Sequence, residues 1–357
     1  MRIAVVGASG NIGTALLRAL QADGRQHEII GVVRRPPPPE PPYDAVRWHA
    51  LDIADPVAPE RLSAIVAGVD VVVNLAWGFQ PSHDPAYLER VGVGGTRAVL
   101  DAVRTAGVGH LVHMSSVGTY SPARSGQRVT EDYPRDGIPA SPYSQHKAAA
   151  ERLLDRAERD AGDDLLIARM RPGLVLQRAA GSSLLRYGLP ALVPAAVLRW
   201  LPLLPLDQQF CVPVVHSDDV ADAIVRVVEQ RVGGAFNLSA EPSIGRREVA
   251  AALGAKAVQL PAKVLLGAAD LAWRLHLQPL DPGWIDLAFG VPLLDTTRAR
   301  DVLGWAPTVD ARRALGELIE GMRDRDATAS PVLRRRSTRE QLTDLLTVGP
   351  ITRRRKS

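Results

Sequence analysis

The sequence of 357 residues has little cysteine, little lysine and no long uninterrupted apolar run. Its single cysteine, Cys211, excludes an intramolecular disulfide framework and a cysteine metal cluster. His110 and His113 stand three residues apart on a predicted strand, where they do not share a face, so no metal site is expected. Residues 184–206 are apolar, but arginines and prolines interrupt them. No transmembrane segment is expected, because a spanning helix needs about 20 apolar residues.

Positive charge is concentrated at one end of the chain. The formal net charge is +4, yet residues 327–357 hold eight basic residues against two acidic ones, so the remainder carries a net charge of −2. A mildly acidic body with a basic tail predicts no specific nucleic-acid partner. The apolar run at residues 3–6 is too short for a secretory signal, which favours a cytoplasmic location.

Short β-branched runs alternate with helical periods along the first 120 residues. Strands are predicted at residues 3–6, 29–33, 46–51, 69–75 and 111–114. Two later strands of the same sheet are predicted at 165–170 and 210–215, and a helix at 220–229 with Ser217 or Asp218 as its cap. Apolar strands alternating with helices indicate an α/β protein with a doubly wound parallel sheet.

The length and this alternation predict a division into two lobes and a tail. Residues 1–171 form the larger domain, and 209–236 return to it. Residues 172–326 form a smaller, mostly helical lobe, since most of them lack the alternation of strand and helix. Residues 327–357 are predicted to be a mobile tail.

A glycine-rich loop joins the first strand to the first helix. Such a loop lets the helix N-terminus approach a pyrophosphate, whose charge the free backbone amides satisfy. The alternative is a turn without a ligand, but the strand and helix on either side favour a dinucleotide site. The candidate cofactor-binding residues in this loop are Gly7, Ser9, Gly10, Asn11, Ile12 and Gly13.

The end of the second strand indicates which dinucleotide binds. An NAD site places a carboxylate there to bind the ribose 2′-hydroxyl. This strand instead runs into Arg34 and Arg35, with no acid before Glu40. Because guanidinium groups suit a 2′-phosphate, NADP is predicted in preference to NAD, unless both arginines are only solvated loop charges.

Tyr143 and Lys147 form the strongest catalytic signal. Their spacing of four residues puts a phenol and an ammonium group on one face of a helix. A nearby ammonium is expected to lower the pKa of the phenol toward neutral pH, where it can exchange a proton. Ser115 and Ser116 follow a predicted strand at the sheet edge where ligands bind.

Together these patterns resemble the extended short-chain dehydrogenase/reductase superfamily, in its NAD-dependent epimerase/dehydratase-like branch, over about residues 1–320. The resemblance implies a Rossmann-like fold, with Tyr143 as acid–base, Lys147 on the nicotinamide ribose and Ser116 rather than Ser115 on the reacting carbonyl. It also implies cofactor contacts from Asp52, Ile53, Asn74, Leu75, Ala76 and Pro172, in addition to Tyr143 and Lys147.

Two departures from the family pattern bear on the substrate. Gly92 stands where the family often carries asparagine, and residues 172–176 lack the asparagine common in sugar-nucleotide enzymes. We therefore expect hydride transfer between NADP(H) and a carbonyl or hydroxyl of an apolar small molecule. Two alternatives stay open: a sugar-nucleotide-type epimerase or dehydratase that recycles its cofactor, and a cofactor-bound scaffold or redox sensor without turnover.

The resemblance further implies a homodimer built through the helices that begin near Ala86 and Tyr143. Deletion of residues 330–357 is expected to leave the fold and cofactor binding unchanged.

Overall fold

The structure, a computed structural model, describes residues 1–78, 84–182, 202–274 and 282–335. Most of the apolar run at 184–206, and the tail beyond Arg335, lie outside the described residues. No helix within the described ranges is long and apolar enough to cross a membrane.

A parallel sheet of seven strands forms the centre of the molecule, as the sequence predicted. The strands are β1 Arg2–Val6, β2 Glu28–Val33, β3 Val46–Ala50, β4 Val71–Asn74, β5 His110–Met114, β7 Leu166–Pro172 and β11 Gly234–Leu238. Their spatial order is β3-β2-β1-β4-β5-β7-β11, and every neighbouring pair is parallel. The order reverses between β1 and β4, which is where ligands bind in open α/β sheets.

Helices cover both faces of this sheet, because its strands are apolar on both sides. The first helix packs on one face beside Ser217–Gln230, while Ala58–Ile65 and Gly95–Ala106 pack on the other. The described helices are α1 Asn11–Ala22, α2 Ala58–Ile65, α3 Pro85–Glu89, α4 Gly95–Ala106, α5 Pro142–Ala161, α6 Ser217–Gln230, α7 Arg246–Leu253, α8 Ala262–Arg274, α9 Pro282–Gly290, α10 Thr297–Leu303 and α11 Ala311–Asp324.

One predicted strand joins a different sheet. The strand expected at 210–215 is observed as β10, Cys211–His216, which pairs with β8 (Leu174–Leu176) and β12 (Ala240–Gly245). The edge of the central sheet beside β7 is occupied by β11, at 234–238. The prediction of one continuous sheet was wrong here, since an apolar run reveals a strand but not its partner.

The helix after β10 also begins differently from the prediction. His216, rather than Ser217 or Asp218, is its N-cap, and its Nδ1 accepts the backbone N–H of Asp218 at 3.2 Å. Asp219 instead accepts hydrogen bonds from Thr308 and Val309, which ties the C-terminal region to this helix.

Other described elements lie outside the central sheet. Helices lie at 246–253, 262–274 and 282–290, and two short parallel pairs join β9 (Leu203–Pro205) to β13 (Lys256–Val258) and β6 (Arg128–Val129) to β14 (Leu293–Leu294). The helix at 282–290 brings Trp284 and Leu287 over the carboxyl ends of the central strands.

Candidate active site

A cavity of about 490 Å³ lies along the carboxyl ends of β1, β2, β4 and β5. Almost all of the site residues predicted from the sequence line it. They are Gly7, Ser9, Gly10, Asn11, Ile12, Gly13, Arg34, Arg35, Asp52, Ile53, Leu75, Ala76, Ser116, Tyr143, Lys147 and Pro172. Asn74 does not line the cavity but is buried beneath it, with its amide 3.2 Å from Nδ1 of His113.

The glycine loop fits a bound pyrophosphate. Gly7 has a φ of 87°, and a Cβ there would lie 2.8 Å from the backbone nitrogen of Ala76, so only glycine allows this close turn. The first helix begins at Asn11, and its N-terminus faces the cavity. The Asn11 side chain is bonded to Val175 and Gln177, so it fixes the loop rather than offering its amide to a ligand.

Two exposed arginines line the cavity beyond the end of β2. Arg34 donates to the Tyr87 hydroxyl at 2.6 Å, and Arg35 stands next to it. Asp52 accepts the backbone N–H of Ala54, while Ile53 packs closely on Gly95. The charged side chains immediately after this strand are therefore arginines and not carboxylates.

The three predicted catalytic side chains meet at the opposite end of the cavity. The Tyr143 hydroxyl is hydrogen-bonded to the Ser116 side chain, whose oxygen also accepts the N–H of Gly118 at 3.0 Å. Lys147, buried one helical turn further on, donates from Nζ to the carbonyl of Met114 at 2.8 Å. A phenol, a hydroxyl and an amine therefore converge where the cavity reaches β5.

The pKa values of the groups at this end of the cavity differ from those expected from the sequence. Burial raises the pKa of Tyr143 to about 12, and the hydrogen bond with Ser116 acts against this rise. Burial also lowers the pKa of Lys147 to about 7, against the opposing effect of the Glu151 carboxylate. The expectation that the ammonium lowers the phenol's pKa is wrong, because desolvation by burial dominates both groups.

Two tryptophans that the sequence analysis missed enclose the tyrosine. Tyr143 lies 5.1 Å from Trp284 and 6.2 Å from Trp77 between ring centroids, and Lys147 Nζ lies 3.5 Å from the Trp77 ring centroid. A Cβ at Gly92 would lie 2.9 Å from that indole ring. The glycine that departs from the family pattern therefore makes room for Trp77.

A buried ion pair lies beside the predicted catalytic residues. Arg171 donates to both carboxylate oxygens of Glu151, at 2.8 and 2.6 Å, and Ser115 donates to the same carboxylate at 2.5 Å. Although burial acts to raise it, the pKa of Glu151 is held at about 2, chiefly by Arg171. Both serines line the cavity, but the Ser115 hydroxyl donates to Glu151, whereas the Ser116 side chain interacts with Tyr143. The spacing of four residues from Lys147 to Glu151 was the signal that could have located this carboxylate.

The start of the C-terminal tail also reaches the site. Pro331, Val332 and Leu333 line the cavity, although residues from 327 onward were expected to form a mobile tail. Within the described residues, no group of three or more His, Cys, Asp or Glu side chains is arranged to hold a metal ion.

Comparisons with known proteins agree with this geometry. The family model described as the NAD dependent epimerase/dehydratase family matches residues 3–239. UDP-glucose 4-epimerase of Mycolicibacterium smegmatis is 29% identical over 343 residues, covering 91% of this chain and 99% of that protein. The uncharacterized protein Rv2047c of Mycobacterium tuberculosis is 28% identical over 328 residues, and this chain spans only 30% of its length.

Among solved structures, MoeE5 in complex with UDP-glucuronic acid and NAD superposes with a TM-score of 0.66. The two sequences are 22% identical, over 91% of this chain and 100% of that one, so this likeness shows the fold alone.

The parallel sheet, the glycine loop and the Tyr143/Lys147 helix together define a Rossmann-like fold of the extended short-chain dehydrogenase/reductase type. The chain belongs to the NAD-dependent epimerase/dehydratase family, which confirms the resemblance seen in its sequence.

Proposed function

We propose that this protein is an oxidoreductase that prefers NADP(H) and transfers hydride to or from the carbonyl or hydroxyl carbon of a weakly polar small molecule. The observation that carries the proposal is the meeting of Ser116, Tyr143 and Lys147 at one end of a cavity that begins at the glycine loop. When bound in this cavity, the nicotinamide cofactor supplies or accepts the hydride.

The chain's own residues supply the proton and hold the reactants. Tyr143, whose pKa of about 12 keeps it protonated at neutral pH, donates its hydroxyl proton to the developing alkoxide. Ser116, hydrogen-bonded to Tyr143, donates to the same oxygen and fixes its position. Lys147 binds the ribose hydroxyls on the nicotinamide side, for which a compact ammonium is suited.

The preference for NADP rests on the end of β2. Arg34 and Arg35 line the cavity there, where an NAD site has a carboxylate. Guanidinium groups form strong charge-assisted hydrogen bonds with phosphate oxygens. NAD is the alternative, because solved structures that share the fold were determined with NAD.

The walls around Tyr143 favour a weakly polar substrate. Among the described residues of the cavity, the cations are Arg34, Arg35 and Lys147, and the two arginines stand at the opposite end. Trp77 and Trp284 pack against the tyrosine, and Val117, Phe210 and Leu287 also line the cavity. These described walls therefore offer a diphosphate little charge, whereas an apolar carbonyl compound can bury its surface against them.

The second candidate is a sugar-nucleotide epimerase or dehydratase, which the 29% identity to UDP-glucose 4-epimerase favours. The two candidates differ in net redox change. Purified protein is mixed with NADPH or NADH and a panel of apolar ketones and aldehydes, and in parallel with UDP-glucose and the oxidised cofactor. The expected result is a loss of NADPH absorbance with an apolar carbonyl compound.

Tyr143→Phe is the matched control in this assay, because it keeps the ring and removes the proton donor. Conversion of UDP-glucose without a net absorbance change, together with no turnover of any carbonyl compound, would favour the epimerase instead.

We also propose a homodimer formed through the helices at 85–89 and 142–161. A monomer in light scattering at micromolar concentration would contradict it.

A further inference from the structure

Residues 327–335, here called the C-terminal strap, are docked on the glycine loop. The Ser330 hydroxyl donates to the carbonyl of Ser9 at 2.5 Å, and Ser330 is completely buried. The Tyr43 hydroxyl lies 3.0 Å from Thr14 Oγ1 and 2.9 Å from Thr328 Oγ1, so it links the first helix to the strap. The strap is thus bonded directly to the glycine loop, and it is bonded to the first helix through Tyr43.

Hydrogen bonds within the strap fix its conformation. Ser330 Oγ also accepts the N–H of Val332, and the carbonyl of Ser330 accepts the N–H groups of Leu333 and Arg334. Leu333 is only 1% exposed. Arg335 donates to the carbonyls of Asp324 and Arg325, which fixes the far end of the strap to the end of the helix Ala311–Asp324.

The strap contributes to the same cavity as the glycine loop. Pro331, Val332 and Leu333 line it together with Gly10 and Arg34. These three apolar side chains supply no hydrogen-bonding group, so their effect on a ligand is to exclude water and to narrow the space above the loop. Exclusion of water strengthens hydrogen bonds between a charged ligand and backbone amides.

We propose that the C-terminal strap is a wall of the dinucleotide site, so that cofactor binding and strap docking stabilise each other. This inference rests on the proposed cofactor binding, and it reverses the expectation that residues 330–357 are dispensable. Because coupling between two binding events is reciprocal, removal of the strap weakens the cofactor complex, and the cofactor in turn protects the strap.

Two truncations test the proposal. Chains ending at Ala327 and at Arg335 are compared with the full chain for NADPH and NADH affinity by calorimetry, with the fold checked by circular dichroism. The chain ending at Arg335 keeps the strap and is expected to bind as the full chain does. The chain ending at Ala327 is expected to bind both dinucleotides about ten-fold or more weakly, roughly the effect of one or two lost contacts.

A point variant keeps the test decisive if the shorter truncation does not fold. Ser330→Ala removes the bond to Ser9, and about two- to ten-fold weaker binding is expected. Ser125→Ala is the matched control. The exposed Ser125 hydroxyl donates to the carbonyl of Gln209 at a distance of 2.7 Å, and neither residue lines the cavity. This control is expected to bind the cofactor unchanged.

Hydrogen exchange on the full chain gives a readout that needs no substitution. Amides of residues 328–335 are expected to exchange more slowly when NADPH is bound. Unchanged exchange there, or unchanged or tighter binding by a folded chain ending at Ala327, would overturn the proposal. A full chain that binds neither dinucleotide would instead refute the proposed function, so the two failures are distinguishable.

Discussion

The two ends of the cavity differ in charge and in burial. At the glycine-loop end, backbone amides, a helix N-terminus and two exposed arginines face the cavity. At the other end, Lys147 is buried and Tyr143 is partly buried, and both contact Trp77, while Tyr143 also packs on Trp284. The first end is suited to bind a charged group, and the second is suited to move a proton.

Burial explains why these roles are divided. An exposed guanidinium stays charged at any physiological pH, so its contribution to affinity is constant. The buried groups have pKa values shifted to about 12 for Tyr143 and about 7 for Lys147, so their charge responds to whatever binds beside them. Substitutions at the two ends should therefore separate affinity from rate.

The largest effect is expected at the buried end. Tyr143→Phe keeps the packing against Trp284 and removes the proton donor, so the hydride-transfer step is expected to slow by roughly 10²–10⁴. NADPH affinity should change little, because the glycine loop is untouched. Single-turnover absorbance kinetics measures the rate, and calorimetry measures the affinity. A near-normal rate would assign the proton transfer to another group.

At the exposed end, the expected effect is on affinity alone. Replacement of Arg34 and Arg35 by alanine together is expected to weaken NADPH binding about ten- to a hundred-fold, since a hydrogen bond to a charged group is worth roughly 1.5–3 kcal/mol. NADH binding should be nearly unchanged, because it lacks the 2′-phosphate. Equal losses for the two cofactors would contradict the assignment of these arginines to that phosphate.

The glycine-loop end was predictable from the sequence because its constraints are local. A short strand, closely spaced glycines and a helix occupy neighbouring positions, and the turn at Gly7 admits no side chain. The four-residue spacing of Tyr143 and Lys147 is local in the same sense. The central sheet was predictable for a related reason, since its strands alternate with amphipathic helices.

The remaining parts of the site are assembled from distant segments. Trp284 and Leu333 reach the cavity only through tertiary folding, and no nearby pattern marks either of them. The strand at 211–216 was assigned to the wrong sheet because its partners are separated from it in sequence. The pKa of Tyr143 was expected in the wrong direction because spacing shows a charged neighbour but not the extent of burial.

A smaller effect is expected from the aromatic walls. Trp284→Leu removes the ring that packs on Tyr143, and an aromatic pair is worth about 0.5–1.5 kcal/mol beyond its buried area. We expect KM for an apolar carbonyl substrate to rise about two- to ten-fold, with cofactor affinity unchanged. Steady-state kinetics at saturating NADPH measures this. A lower KM for a charged substrate together with no change for an apolar one would contradict the proposed substrate class.

The smallest effect is expected in the titration of the ligand-free protein. The pKa of Lys147 is lowered by burial to about 7, from an ordinary value of 10.5. Between these values the unfolded chain holds a proton that the folded chain has released, so this group makes the free energy of unfolding rise as pH increases from about 7 to 10.5. Denaturant unfolding across this window should show the rise, and Lys147→Met should reduce it, whereas Lys256→Met at an exposed position should not.

Nuclear magnetic resonance can observe the same group directly, because the chain contains only four lysines. With isotope-labelled lysine, the signal that is absent in Lys147→Met is expected to titrate near pH 7 in the free protein. Saturating NADPH, whose ribose hydroxyls are proposed to accept hydrogen bonds from the amine, is expected to raise that midpoint, since hydrogen bonds to the charged form favour the ammonium. A Lys147 signal that titrates only near 10.5 would mean that the amine is solvated. The contrast between a buried and an exposed end of the cavity would then no longer explain why substitutions at one end change the rate and substitutions at the other change cofactor affinity.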